Sequence, residues 1–138
     1  MRITNRGRYA LRASLALAKL RKDVDLVSIS SISEEENISS VFLEQIFFKL
    51  RKAGIVNSVR GPGGGFRFNK SPDKITLMEI MKAAGEEMDL TDCDKNAKAC
   101  TLTGKRCSSH TVWEDANGLL RDYFSKMTLT MVRARKTP

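Results

Sequence analysis

One short segment of the chain contains all three cysteines and the sole histidine. It reads CDKNAKACTLTGKRCSSH over residues 93–110, with six residues between Cys93 and Cys100, six between Cys100 and Cys107, and two between Cys107 and His110. An odd number of cysteines argues against a closed disulfide framework. Thiolates and imidazoles bind zinc and iron, and free thiols can be oxidised. The residue types therefore leave a zinc site, an iron–sulfur site and a thiol redox sensor open.

The spacing and surroundings of these residues favour the three alternatives to different degrees. Structural zinc sites usually begin with two cysteines that have only two to four residues between them, and both gaps here are six residues long. The lysines and arginine within the segment would stabilise the thiolate form that a redox sensor needs. An iron–sulfur cluster with four ligands fits three cysteines plus His110, because histidine can replace a thiolate in such sites.

Positive charge is concentrated in the first half of the chain. The 138 residues have a formal net charge of +8, and residues 1–70 hold 13 Lys/Arg against 6 Asp/Glu, whereas residues 71–138 hold 11 against 10. This asymmetry predicts a polyanionic partner for the first half, and nucleic acid is the usual one. The alternative is a solvated basic surface without a partner.

Two classes of protein are not expected from the sequence. The chain has no apolar run near the length of a membrane helix, and Arg8, Arg12 and Lys19 interrupt the apolar part of its N-terminus, which argues against a signal peptide. We therefore expect a cytoplasmic protein without a membrane partner. We do not expect an enzyme, because no nucleophile–base pair is apparent.

The first half has the element order of a winged helix. Apolar periodicity predicts a buried helix over residues 8–22, with several arginines at its start, where a phosphate would offset their unfavourable interaction with the helix dipole. A short helix over 29–36 with Ser28 as its cap, and a second from Ser39 or Ser40 to Ala53, predict a helix-turn-helix. The runs Ile55–Arg60 and Phe66–Phe68 then predict a hairpin.

The loop GPGGG, residues 61–65, forms the tip of that hairpin. Its glycines permit positive φ values and leave the tip without side chains. A phosphate-binding loop of the P-loop class is disfavoured, because the Gly-Lys-Ser/Thr ending is missing. The hairpin is therefore predicted to be the wing of a DNA-binding winged helix.

The second half is predicted to hold a sensor segment and a long helix. A capping box at Thr76–Glu79 predicts a helix from Leu77 to Ala84, which ends at Gly85. The polar span that follows is too long for an ordinary connection and needs something besides an apolar core to hold it. A helix from Thr111 carries an apolar stripe that predicts a dimer surface, unless the stripe packs only on its own domain. The tail over 131–138 is expected to fray.

These elements predict a mainly α fold with a small β wing, a winged helix-turn-helix followed by a long C-terminal dimerisation helix. The predicted parts are a DNA-binding region over 1–85, a cysteine segment over 86–110, and a dimerisation helix and tail over 111–138.

Three stretches resemble a family of bacterial transcription regulators. MRITNRGRYAL, ISSVFLEQIFFKLRKAGIVNSVRGPGGGF and HTVWEDANGLL are similar to the winged-helix regulators typified by the iron–sulfur cluster regulator IscR, whose relatives respond to nitric oxide, cysteine or iron. The resemblance implies a homodimer that binds a double-stranded DNA operator. It also implies that the state of a [2Fe-2S] cluster controls operator binding. The same regulator with a cluster-free thiol or zinc sensor is the alternative.

The resemblance further implies a ligand set in the cysteine segment. Cys93, Cys100, Cys107 and His110 would hold the cluster, although the family usually has five residues in each gap and this chain has six. A [4Fe-4S] cluster therefore stays open beside [2Fe-2S]. Some relatives take an acidic ligand from the first helix, but the matching residue here is Arg8, which cannot serve.

The second helix of the motif and the wing would contact DNA. By resemblance, Glu44 and Gln45 face base edges, where glutamate can accept from cytosine N4 and glutamine can pair with adenine. Val41 is apolar at a site that is often polar in relatives, so operator preference should differ. The full set of DNA-binding residues implied is Arg2, Ser39, Ser40, Glu44, Gln45, Lys49, Arg51, Arg60, Gly61, Gly63 and Gly64.

Overall fold

The computed structural model describes residues 1–91 and 104–135 of the chain. Within them lie six helices and one antiparallel pair of strands, which confirms a mainly α fold with a small β wing. The elements are α1 (Asn5–Leu20), α2 (Ile29–Glu36), α3 (Ser40–Lys52), β1 (Val56–Val59), β2 (Gly65–Phe68), α4 (Leu77–Ala84), α5 (His110–Lys126) and α6 (Leu129–Ala134), with a 3-10 turn at Pro72–Lys74.

Short polar side chains set the boundaries of the helix-turn-helix. The Ser28 hydroxyl accepts a hydrogen bond from Ser31 N at 3.1 Å, and the Ser39 hydroxyl accepts one from Phe42 N at 3.2 Å. Each bond satisfies a backbone donor that the first turn of a helix leaves unpaired. Asn37 ends α2 in the left-handed region with a φ of 52°, which turns the chain into α3. The two predicted caps are thus confirmed.

The core joins α1 to the recognition motif. Small side chains on α1, such as Ala10 and Ala13, are fully buried and let neighbouring helices approach closely. Phe47 and Leu50 of α3 fill the space between the helices and are at most 1% exposed. Burying a large apolar side chain contributes roughly 1.5–3 kcal/mol, so α3 is held firmly by one face.

The last helix packs back against the start of α4 and the residues just before it. Leu77 N donates to Met127 O at 2.9 Å, Leu129 N donates to Ile75 O at 3.0 Å, and Leu129 is completely buried. Residues 131–134 are therefore helical where the sequence predicted a frayed tail. The reason is the buried Leu129, which anchors the first turn of α6.

A buried carboxylate occupies the N-terminus of α1. Glu86 accepts hydrogen bonds from Gly7 N at 3.1 Å and from Thr4 N at 3.3 Å, and the Thr4 hydroxyl also donates to it. The helix dipole and the nearby Arg6 both favour a negative charge here. The anion expected at this helix start is therefore the protein's own Glu86, the residue directly after the glycine that ends α4.

This environment lowers the pKa of Glu86. Burial alone raises the pKa of the carboxyl group, but the hydrogen bonds from Thr4 and Gly7, together with the charge of Arg6, bring it below its ordinary value. A carboxyl group with a lowered pKa stabilises the fold above its unfolded pKa. That stabilisation is lost as the pH falls through the folded pKa.

Gly7 leaves the space that Glu86 fills. A Cβ atom at this position would lie 2.6 Å from Glu86 Cγ and 2.7 Å from Glu86 Oε1. Gly7→Ala should therefore destabilise the protein by about 1–3 kcal/mol in urea unfolding. The matched control is Gly118→Ala on α5, where nothing lies within 4 Å and alanine is the better helix former. Equal stability of the Gly7→Ala variant and the wild type would contradict the contact.

Removing the charge of Glu86 should lower the free energy of unfolding only at pH values at which the carboxyl group is ionised. Glu86→Gln is expected to lose on the order of 1–3 kcal/mol at neutral pH, because hydrogen bonds to a charged acceptor are stronger than those to an amide. The difference from the wild type should vanish as the pH falls below the folded pKa. The control is Glu34→Gln, an exposed carboxylate on α2. A pH-independent loss would argue for a merely steric role.

Candidate functional site

The recognition helix α3 is divided into a buried face and an exposed face. Leu43, Ile46, Phe47 and Leu50 point into the core. The side chains predicted to face base edges or phosphates are on the other side, where Ser39, Ser40, Glu44 and Gln45 are all exposed. Ser39 accepts the capping hydrogen bond through its oxygen, so its hydroxyl proton can still be donated to a phosphate.

Glycines shape the tip of the wing. Gly61 and Gly63 have φ values of 101° and 73°, in the left-handed region that favours glycine. A Cβ atom on Gly64 would lie 2.8 Å from the backbone oxygen of Gly61, to which Gly64 N donates. The tip is thus a bare backbone turn, and Arg60 is exposed at its base. A narrow loop flanked by a cation can approach a DNA backbone closely.

A groove of about 740 Å³ separates α3 from the wing. Its lining includes Glu44, Phe48, Arg51 and Arg60. Arg51 donates to the Ser58 hydroxyl of β1 at 3.1 Å, and its guanidinium lies 5.7 Å from the centre of the Phe48 ring. These contacts hold Arg51 in place and leave it other N–H donors for a phosphate.

Phe48 is a groove residue that the sequence analysis missed. Its side chain is 57% exposed. The helical periodicity of the sequence could have identified it, because Phe48 falls outside the buried stripe of α3. That stripe consists of Leu43, Ile46, Phe47 and Leu50.

The two remaining predicted phosphate contacts lie away from this groove. Lys49 is half-buried, and its ammonium group points toward Gly85, at the C-terminus of α4. Arg6 reaches the same glycine from α1. Arg2 is exposed ahead of α1. The structure therefore groups Glu44, Arg51 and Arg60 around one groove. Gln45 and Lys49 lie beside Glu44 on the adjacent surface of α3, and Arg2 lies in neither place.

Two of the four predicted cluster ligands lie within the described residues. Cys107 is half-buried with its sulfur 3.2 Å from the Ser109 hydroxyl, and its backbone oxygen accepts from His110 N at 3.1 Å. Cys93 and Cys100 lie outside the described residues. In residues 1–91 and 104–135 there is no group of three or more potential metal ligands.

One ring nitrogen of His110 is unsatisfied within residues 1–91 and 104–135. The residue begins α5 and is 7% exposed, and its Nε2 atom has no hydrogen-bond partner among the described residues. The nearest carboxylate that pairs with it, Glu114, is 3.8 Å away, which is beyond hydrogen-bonding distance. Buried polar atoms are nearly always satisfied, so an orphaned imidazole nitrogen fits a metal ligand.

The residues just ahead of Cys93 are tied to the middle of α5. Leu90 N donates to the buried Asn117 Oδ1 at 2.7 Å, and Arg121 donates to Asp89 at 2.8 Å. Glu86, four residues before Leu90, is bound to α1 instead. The beginning of the cysteine segment therefore bridges the first helix and the last long helix.

The α5 helix exposes apolar side chains. Leu119 is 74% exposed and Val112 60%, and Trp113 and Tyr123 are also exposed. Only His110 and Asn117 of this helix are buried, and Met127, directly after its last residue, is buried as well. Large apolar side chains exposed together on one helix usually mark a protein contact. No helix in the described parts of the chain is both long and apolar enough to cross a membrane.

Known proteins match the chain over nearly its full length. A family model named Rrf2 and described as an iron-dependent transcriptional regulator matches residues 3–135. The HTH-type transcriptional regulator IscR of Vibrio cholerae is 43% identical over 129 residues, which cover 94% of this chain and 73% of that protein.

Solved structures support the same assignment. The global cysteine regulator CymR of B. subtilis has a TM-score of 0.82 at 25% identity, with 99% of both chains covered. IscR of T. potens has a TM-score of 0.75 at 26% identity and covers 100% of this chain and 93% of its own. These relatives are regulators and not enzymes, as expected. The chain belongs to the Rrf2 family of transcriptional regulators.

Proposed function

We propose that this protein is an IscR-like regulator in the cytoplasm whose cysteine segment senses an iron–sulfur cluster. The ligands would be Cys93, Cys100, Cys107 and His110, and the state of the site would control operator binding. The observation that carries the proposal is the buried Nε2 atom of His110, which has no hydrogen-bond partner among the described residues. When bound, a cluster supplies iron–sulfur and iron–nitrogen bonds that make the order of the segment depend on iron supply and oxidation.

The protein's own contacts explain how such a site could reach the DNA. Glu86 holds the start of the segment to α1, and Asn117 holds Leu90 to α5. His110 is the first residue of α5, so a bond between its imidazole and a cluster would act directly on the position of that helix. A change in the segment therefore alters the position of α5 relative to the winged helix.

We further propose that α5 forms a homodimer through its exposed apolar face. Two identical faces can pack about a two-fold axis and bury side chains that one chain leaves in water. Dimerisation would place two α3 helices at a spacing set by α5 and α4. An operator with two half-sites binds best to the dimer geometry whose α3 helices match its half-site spacing. A population shift between two dimer geometries therefore changes the affinity of the protein for the operator.

A second candidate differs only in the sensor. The likeness to CymR, a global cysteine regulator by name, favours a sensor of the same fold that responds to a different signal. We propose as the second candidate a regulator whose cysteines act as a cluster-free thiol or zinc sensor. The half-buried Cys107 beside Ser109 fits a thiol sensor as well as a ligand. The two candidates share the DNA interface and differ in what the purified protein contains.

Anaerobic loading with iron and sulfide should separate the two candidates. The wild type is expected to gain visible charge-transfer bands and bound iron and sulfide, and Cys100→Ala and His110→Ala should lose most of both. His110→Cys keeps a ligand and should retain a cluster with a shifted spectrum, which excludes simple unfolding. Ser108→Ala is the exposed control within the segment. A colourless wild type would overturn the cluster proposal and leave the thiol or zinc sensor.

A charge on the exposed face of α5 should break the dimer. Leu119→Glu is expected to sediment as a monomer with unchanged helical content, because a buried unpaired carboxylate is costly. Operator affinity should fall on the order of a hundredfold, because one half-site would then be bound without avidity. Ser125→Glu, an exposed residue of α5 outside the apolar stripe, is the control. A dimeric Leu119→Glu variant would place the interface elsewhere.

A further inference from the structure

Val41 is an apolar side chain in the middle of a polar reading surface. It is the second residue of α3 and is 67% exposed, so it contributes little to the core. Single exposed apolar residues are common on protein surfaces. The position of Val41 suggests a role in DNA contact, because recognition helices contact base edges with their N-terminal residues.

Val41 shares one face of α3 with the two predicted base-reading residues. Glu44 and Gln45 follow it at the i+3 and i+4 positions, which are neighbours on a helix surface. Both are exposed. A base edge that meets Glu44 or Gln45 therefore lies beside a base edge that meets Val41.

The chemistry of valine limits which base it can face. In the major groove each base presents hydrogen-bonding groups, and thymine adds the one methyl group. An isopropyl group against a donor or acceptor would remove water from it without offering a partner, which is unfavourable. Against a methyl group the same side chain buries apolar surface on both sides.

We infer that Val41 is a specificity-determining residue that selects thymine through its 5-methyl group. The inference rests on the proposed function, because it requires α3 to enter the major groove of an operator. Val41 and Gln45 are about 6 Å apart along the helix axis. This distance is about two base-pair steps, so the thymine lies within about two base pairs of the base that Gln45 contacts.

The experiment removes that methyl group alone. An operator is first selected from random duplex DNA with the dimeric wild-type protein. Each thymine of the operator is then replaced singly by uracil, which keeps all hydrogen-bonding groups. Affinities are measured for the wild type and for Val41→Ser, with Val24→Ser as a control at a 50% exposed valine outside α3. Serine is well tolerated near a helix start, so the fold should be unaffected.

One thymine per half-site should stand out. Its replacement by uracil is expected to weaken the wild type and Val24→Ser roughly fourfold per half-site, the value for one buried methyl group. Val41→Ser should bind the thymine and uracil operators equally. Such a loss of coupling between one side chain and one methyl group assigns the contact.

Two results would overturn the inference. One is that no replacement of thymine by uracil in the selected operator weakens binding of the wild type more than it weakens binding of the Val41→Ser variant. The other is a selected operator without thymine near the base that Gln45 reads. In either case, sequence-specific binding itself would still uphold the regulator. A failure to select any sequence would instead overturn the function on which the inference rests.

Discussion

The hydrogen bonds from the start of α1 to Glu86 connect the two halves of this protein. The N-terminus of α1 carries a partial positive charge and several arginines, so without an anion it would be electrostatically unfavourable. Glu86 supplies that anion from just beyond the end of α4, and Gly7 leaves room for it by lacking a side chain. Because α1 packs on α3 and α4, the position of Glu86 bears on the helix that is proposed to read DNA.

The DNA-binding surface depends on a rigid support beneath it. One face of α3 is buried against α1 and the wing, where Phe47 packs against Phe66 with ring centres 4.7 Å apart. The other face holds its polar groups at fixed angles because the buried face cannot rotate. Arg51 is held between Phe48 and Ser58, so its position depends on both the helix and the wing. A surface arranged in this way loses little conformational entropy on binding.

The α5 helix has two different surfaces. Its buried residues are His110 and Asn117, and the latter accepts a hydrogen bond from the chain ahead of Cys93. Phe124 packs inward as well, against the cluster of Met78, Met81 and Met88. On the exposed side, the large apolar side chains of Val112, Trp113, Leu119 and Tyr123 lie in water among charged residues. The helix therefore anchors the start of the cysteine segment with one side and leaves apolar groups uncovered on another.

Elements with local signals could be predicted from the residue pattern alone. Serine caps, the Thr76–Glu79 capping box, the stripe on α3 and the glycines of the wing act over a few residues, and each was confirmed in place. Contacts between distant residues emerged only in the folded chain. Glu86 and Gly7 are 79 positions apart, and no periodicity predicts their contact. The packing of α6, and the lack of a partner for the His110 nitrogen in the described part of the chain, also depend on which surfaces meet in space. Burial and pairing are properties of the folded chain, and that is the physical reason why local patterns could not reveal them.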